Sequence, residues 1–278
     1  MPAFATPGPV AATVEVAGAR VRVTATDRAD TVVQVEPVNP ASRSDVKVAD
    51  RTKVDFADGR LSVKTTTAGH KSGSVAITIE LPSGSGLALS LAHSSVQADG
   101  PIGRCELQLA SGQVELDRIG ALQASIASGE VAIGHLDGTA SIEGAAFGMR
   151  IGEAAGAVGL TSSGGSTWIG HARADAELSS AAGDLDIDQA DGSVTATTAS
   201  GAIRIGRMLH GQARLKNGSG NIEVGISAGA AASVDASSER GAVHDFVSSA
   251  GQPGSSDDKV MVHARTRNGD IVIQRAAG

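Results

Sequence analysis

Apolar and polar residues alternate with period two in short runs along most of this chain, and the runs return on a beat of about 18 residues. In Thr197–Gly206, TTASGAIRIG, a small residue and Gly201 lead into Ile203 and Ile205, with Arg204 between them. The same arrangement stands in SSAAGDLDID before it and in KNGSGNIEVG after it. Taking the glycine as a slot, its counterparts are Ser94, Gly112, Gly129, Phe147, Gly165, Gly183, Gly201, Gly220, Gly241 and Gly269. Two and four residues past each slot the columns are almost wholly apolar, from Val114 and Leu116 to Ile271 and Ile273, while the column between them is mixed. That is the in-out-in signature of a strand. A second strand precedes the slot, with inward columns that include Cys105, Leu122 and Val158, then Leu107, Leu160 and Leu178. A weaker third inward position follows, at Ile119, Leu136, Ala154, Ala172, Ala190 and Met208.

Two or three short strands in 18 residues leave no room for helix pairs or propeller blades, whose repeats are longer. The pattern predicts an all-β parallel solenoid (a β-helix) of about ten coils, like residues stacked over like roughly 4.8 Å apart. The slot glycines are its corners. Phe147 in a corner predicts a local distortion. Asp245 in an inward column predicts the start of a loop insertion over 247–259, whose Gly, Ser, Pro and Asp content is that of a connection. Residues 1–83 alternate without the beat, in ATVEVAG, ARVRVTATD, TVVQVEP, LSVKTTT and SVAITIELP. Because a solenoid end exposes unpaired edges, this part is read as an antiparallel β cap continuous with the repeats of 84–278.

Composition narrows the picture. Aromatic residues are only 2% of the chain, so the core must be a thin, regular stack of Val, Ile, Leu and Ala. Of the net charge of −7, residues 1–86 contribute +1 (10 basic, 9 acidic) and the rest −8 (13 basic, 21 acidic). An acidic body without a basic stripe or stacking aromatics excludes nucleic acid as the expected partner. No run is long and apolar enough to insert in a membrane. MPAFATPGPV does not read as a signal peptide, so the expected location is cytoplasmic.

The candidate chemistry is sparse. GSGNIEVG has Glu223 where a dinucleotide fingerprint needs its third glycine. GDLDIDQADG has Gln189 and Thr195 where a calcium loop starting at Asp184 needs glycine and glutamate. His135 and His171 share one corner phase but stand two coils apart, too far to bind one zinc ion together. Cys105 reads as a small buried hydrophobe. No catalytic, metal or cofactor-binding residue is therefore expected, and the chain is read as no enzyme. The residue that packing does not absorb is Trp168, outward between Arg150 and Asp186 in the stacked columns. These three form the predicted surface contact, since tryptophan and arginine are enriched where partners bind.

The [SN]G-x-[VI]-x-[VI] beat, the N-terminal FATPGPVAATVEVAGARVRVTATDRADTVVQVEP, the IELPSGSGL that leads into the coils and the C-terminal VHARTRNGDIVIQRA together resemble a bacterial β-strand-repeat family. It is the family of unknown function numbered 4097, also labelled "putative adhesin", and the likeness is strongest to signal-less actinobacterial members. The resemblance spans nearly the whole chain and implies a right-handed parallel β-solenoid with no established enzymatic activity. The expected role is that of a structural or interaction solenoid presenting a strand face or coil end to a protein partner. The alternatives are an adhesin-like surface protein binding glycan or protein, and a scaffold self-associating through its solenoid ends, as bactofilins do.

Overall fold

The structure is a computed structural model that describes residues 2–65, 73–247 and 259–276. It is all-β apart from one helix, and the predicted parallel solenoid is the fold. The chain divides into two compact units, Met1–Asp137 and Gly138–Gly278. The division does not fall at 83/84, so the strands of residues 1–83 belong with the first coils.

Unit 1 contains β1 (Ala3–Ala5), β2 (Ala11–Ala17), β3 (Ala19–Thr26), β4 (Asp30–Pro37), helix α1 (Arg43–Arg51), β5 (Lys53–Ala57), β6 (Arg60–Lys64), β7 (Val75–Pro82) and β8 (Gly86–Leu136). β8 stays extended for 51 residues. It turns at Gly100, Gly112 and Gly129, whose φ angles are +85°, +140° and +127°. Ser94, in the first slot, keeps a side chain because its neighbour His93 takes the left-handed conformation (φ +49°) instead.

The cap expected over 1–83 is antiparallel only in part. β4 runs antiparallel along β7, β1 along β4, and β5 along β6. β2 and β3, however, form a coil of their own around Gly18, with the same alternation as the later repeats. That coil is parallel to β8 on one side and to β6 and β7 on the other. The edges that β6 and β7 would leave open are covered by β5 and β4, which manages the aggregation hazard of a bare sheet edge. α1 is not anticipated by the alternation. Ser42 caps it by accepting the Asp45 N–H at 3.4 Å, and the Asp45 carboxylate accepts N–H bonds from Asn39 and Ser74. The Ser42 hydroxyl and then these backbone donors hold Asp45 below the usual carboxylate range.

Unit 2 contains β9 (Ala140–Ala154), β10 (Val158–Gly164), β11 (Thr167–Ala172), β12 (Ala176–Ala182), β13 (Leu185–Ala190), β14 (Val194–Ser200), β15 (Ile203–Met208), β16 (Gly211–Ser219), β17 (Ile222–Ile226), β18 (Ala231–Arg240), β19 (Val243–Asp245), β20 (Lys259–Asn268) and β21 (Ile271–Arg275). They make two parallel ladders. One runs β9, β10, β12, β14, β16, β20, β18, and the other β9, β11, β13, β15, β17, β21, β19. The order at the end is not the order of the sequence. β20 and β21 lie directly on β16 and β17, and β18 and β19 are stacked beyond them. The slot glycines agree, since a Cβ on Gly269 would stand 2.1 Å from Gly220 O, and one on Gly241 2.1 Å from Gly269 O. Asp245 is tolerated in an inward column because β19 belongs to this last coil, where Val243 is itself 41% exposed. Of the loop insertion predicted over 247–259, residues 248–258 lie outside the described residues.

Phe147 does not distort the backbone as expected. It lies inside the continuous β9, outside the left-handed region, and is only 3% exposed. Gly144 of the same coil leaves the inward column that holds Ser162 without a side chain, and that coil buries the phenyl ring of Phe147 instead. Elsewhere the predicted inward columns are the core: Cys105, Leu107, Val114, Leu116, Ile187, Ile205 and Ile273 are all 3% exposed or less. Burying each Leu or Ile contributes about 1.5–3 kcal/mol. Ile119, Leu136, Ala154, Ala172, Ala190 and Met208 are buried too, so the weak third column is a true core position.

Candidate interaction surface

In unit 2 the outward residues of β9, β11, β13, β15 and β17 stack in register as Arg150, Trp168, Asp186, Arg204 and Glu223. The strands place them there because the residues on either side, such as Thr167 and Ile169, point inward and are buried. The Arg150 guanidinium lies 4.8 Å from the centre of the Trp168 ring, a cation–π contact of about 0.5–1 kcal/mol at an exposed site. The ring extends over Gly170, where a Cβ would come 3.0 Å from its edge, and its N–H donates to Asp188 Oδ2 at 3.2 Å. Arg204 closes the group: Nη2 donates to Asp188 Oδ1 at 2.8 Å, and Nε to Asp186 Oδ2 at 3.2 Å. The buried Asp186 Oδ1 is 3.0 Å from Arg204 Nε without an aligned N–H. Hydrogen bonding to Asp186 raises the Arg204 pKa above its usual value.

The three residues singled out from the sequence are therefore neighbours, but they are not joined as a simple row. Asp186 is next to Trp168 by register, yet the indole bonds to Asp188, and Arg204 ties the two carboxylates together. Asp188 and Arg204 were missed. The signal for Asp188 was present, because in its column the coils on either side of it, from β9 to β17, have Gly152, Gly170, Gly206 and Gly225. An aspartate among glycines leaves the space over Gly170 free for the ring and supplies its acceptor.

The other candidates also have structural partners. Asp184 accepts the Ala202 N–H at 2.7 Å, so the acidic run GDLDIDQADG is tied across coils. His171 Nε2 is 2.6 Å from Asp191 Oδ2, and Gln189 donates to the other oxygen at 3.1 Å. Burial pushes the Asp191 carboxyl up, but the bonds from Gln189 and His171 outweigh it and hold it below the usual carboxylate range. Burial, with Glu106 nearby, pushes the Cys105 thiol up to about 12, so at neutral pH it is not a nucleophile. Among the described residues no group of three or more His, Cys, Asp or Glu is placed to hold a metal ion, and no helix is long and apolar enough to cross a membrane.

Open grooves lie on the outer faces of each unit. In unit 2 a groove of about 500 Å³ lies where Gly159 interrupts the outward side chains between Ser141 and Glu177, bordered by Asp175, Gln212 and Arg214. In unit 1 a groove of about 520 Å³ crosses β7, β3 and β8.

Among solved structures, the chain is similar to one from Parabacteroides distasonis described as a "putative adhesin", with 10% identity, 97% of this chain and 94% of that one covered, and a TM-score of 0.43. It is also similar to structures so described from Bacteroides fragilis (10% identity, 98% and 95% covered, TM-score 0.36) and Parabacteroides merdae (11% identity, 99% and 95% covered, TM-score 0.37). No curated protein sequence matches it. The family model Toastrack DUF4097 matches residues 12–274, and the chain belongs to that family.

Proposed function

We propose that the protein is a non-enzymatic interaction solenoid, working in the cytoplasm, that presents the Trp168 face of unit 2 to a protein partner. One observation carries the reading: the chain's single tryptophan is held half-exposed on a stacked strand face by Arg150, Asp188 and, through Asp188, Arg204. A side chain already fixed in place loses little conformational freedom on binding, which removes part of the usual cost of association. Tryptophan and arginine are also the residues in which interface energy concentrates. The test is a pull-down with the full chain, comparing native protein with Trp168→Ala and with Arg214→Ala as a control away from the ladder. A partner held by the native and control proteins and lost by Trp168→Ala supports the reading. A partner retained equally by all three would remove Trp168 from it.

A second reading has its own observation. Among the described residues β18 pairs only with β20, and Val243 and Phe246 beside this edge are 41% and 60% exposed. Self-association through the coil end of unit 2 would cover them. Light scattering on untagged protein across concentration would then show assembly that Phe246→Asp suppresses.

A further inference from the structure

We propose that the outer groove of unit 1 binds an acidic oligosaccharide, its carboxylate held by Arg20 and Arg22. Both arginines are exposed on β3 and, two residues apart, point the same way about 6.6 Å from each other along the strand. The residues across from them are short on one side, Ala76 and Thr78 of β7, and polar on the other, Ser95 and Gln97 of β8. The guanidinium groups therefore rise above a low floor. Arg22 Nη2 donates to Gln97 Oε1 at 3.1 Å, which leaves further N–H groups of its fork directed outward. Among the described residues neither arginine forms an ion pair, whereas Arg28, Arg104, Arg118, Arg173, Arg204 and Arg265 each lie against a carboxylate. Two unneutralised guanidiniums in a groove, on a chain of net charge −7, are a local preference for an anion.

The rest of the groove favours a hydroxyl-rich ligand. Thr78, Ser95, Gln97 and Gln113 offer hydroxyl and amide groups that both donate and accept. The groove crosses four rungs, β7, β3 and two successive coils of β8, for roughly 14 Å at about 4.8 Å per rung. One rung is comparable to the length of one pyranose unit, so successive sugars meet successive rungs. An extended peptide laid the same way would present same-side groups about every 6.8 Å and fall out of step. Glu115 at the other end of the groove fixes polarity, with the sugar carboxylate over β3 and neutral hydroxyls toward Gln113 and Glu115. The groove shares no residue with the Trp168 face, so the two proposals stand or fall separately.

The test is calorimetric titration of the full chain with a tetrasaccharide of three xyloses ended by a single glucuronate, its methyl ester and hexaglutamate. The expected result is one site per chain. Affinity falls at least tenfold on esterification and at least tenfold in Arg20→Ala and in Arg22→Ala, the range for a charge-assisted hydrogen bond. Gln97→Ala is expected to cost about threefold, and Arg214→Ala nothing. Arg20→Gln and Arg22→Gln keep two of the three stem methylenes and must lose binding as the alanine variants do, which covers any alanine variant that folds poorly. Absence of binding at millimolar sugar, equal binding of the ester or of hexaglutamate, or binding retained by the Arg20→Gln/Arg22→Gln double variant would each overturn the proposal.

Discussion

The two units build the same corner from opposite materials. Three residues before the slot, unit 1 buries Leu91, Leu109 and Ile126, all 3% exposed or less. Unit 2 has Ser162, Ser180, Thr198, Asn217 and Thr266 at that position, buried as well at 2–7% exposed. Its side chains turn toward backbone carbonyls at the bend. Thr198 donates to Ser200 O at 3.1 Å, Asn217 to Gly201 O at 2.6 Å and Thr266 to Gly220 O at 3.3 Å. Ser238 on the last coil does the same to Gly269 O at 2.8 Å. Unit 1 thus stabilises its corner by excluding water from hydrocarbon, and unit 2 by adding side-chain donors to the carbonyls of the bend. The glycine is what both versions share, because its φ and the neighbouring backbone leave no space for a side chain.

The largest expected effect abolishes the comparison by removing that shared element. In Gly183→Ala the new Cβ would stand 2.0 Å from Gly165 O on a residue whose φ is +134°. Overpacking and left-handed strain together should cost on the order of 3–5 kcal/mol. Gly112→Ala meets Ser94 O at the same 2.0 Å and should behave alike, which urea unfolding monitored by circular dichroism would check. The next effect separates the two corners. Leu109→Ala leaves a cavity and should cost about 3 kcal/mol, whereas Thr198→Val keeps volume and removes the one hydroxyl donor shared by Ser200 O and Gly183 O, for about 1 kcal/mol. Equal stability of Thr198→Val and the native protein would show that the polar column is only a choice of small residues.

The smallest effect is the pH dependence that Asp191 contributes to unit 2. Asp191 is ionised more readily in the folded state than the usual unfolded value near 3.9, so its contribution is fully present above that value. It is lost as pH falls through the lowered folded-state value. Thermal melts between pH 6 and 2 should therefore show a shallower acid decline in Asp191→Asn than in the native protein. An unchanged acid limb would remove the His171–Asp191–Gln189 group from the account.

The solenoid was legible because its columns repeat: Ile187 below Ile205 is visible in the sequence as well as in the ladder. Parallel pairing of β2 and β3 was not legible, since their coil lacks the 18-residue beat and only Gly18 marks its corner. The exchanged order of the last two coils was hidden for a related reason, because Gly241 and Gly269 carry equivalent neighbours and either could follow Gly220. Helix α1 was missed where local capping by Ser42 and Asp45 overrode a segment with no apolar beat. At the Trp168 face, Arg150 and Asp186 followed from register alone. Asp188 and Arg204 required knowing where long side chains reach, which column position does not give.

The exchanged coils have a mechanical consequence. A stack whose final segment is its outermost layer yields to tension by peeling, one bond after another, from a free edge. In unit 2 a pull entering through Ala276 reaches β21, which is laced to β17 on one side and to β19 on the other. The load must shear two ladders together before anything unzips. In unit 1 a pull entering ahead of β2 meets the same arrangement, between β6 and β8. β21 and β2 are thus anchored as bolts, whereas β1, which among the described residues pairs with β4 alone, is a hem.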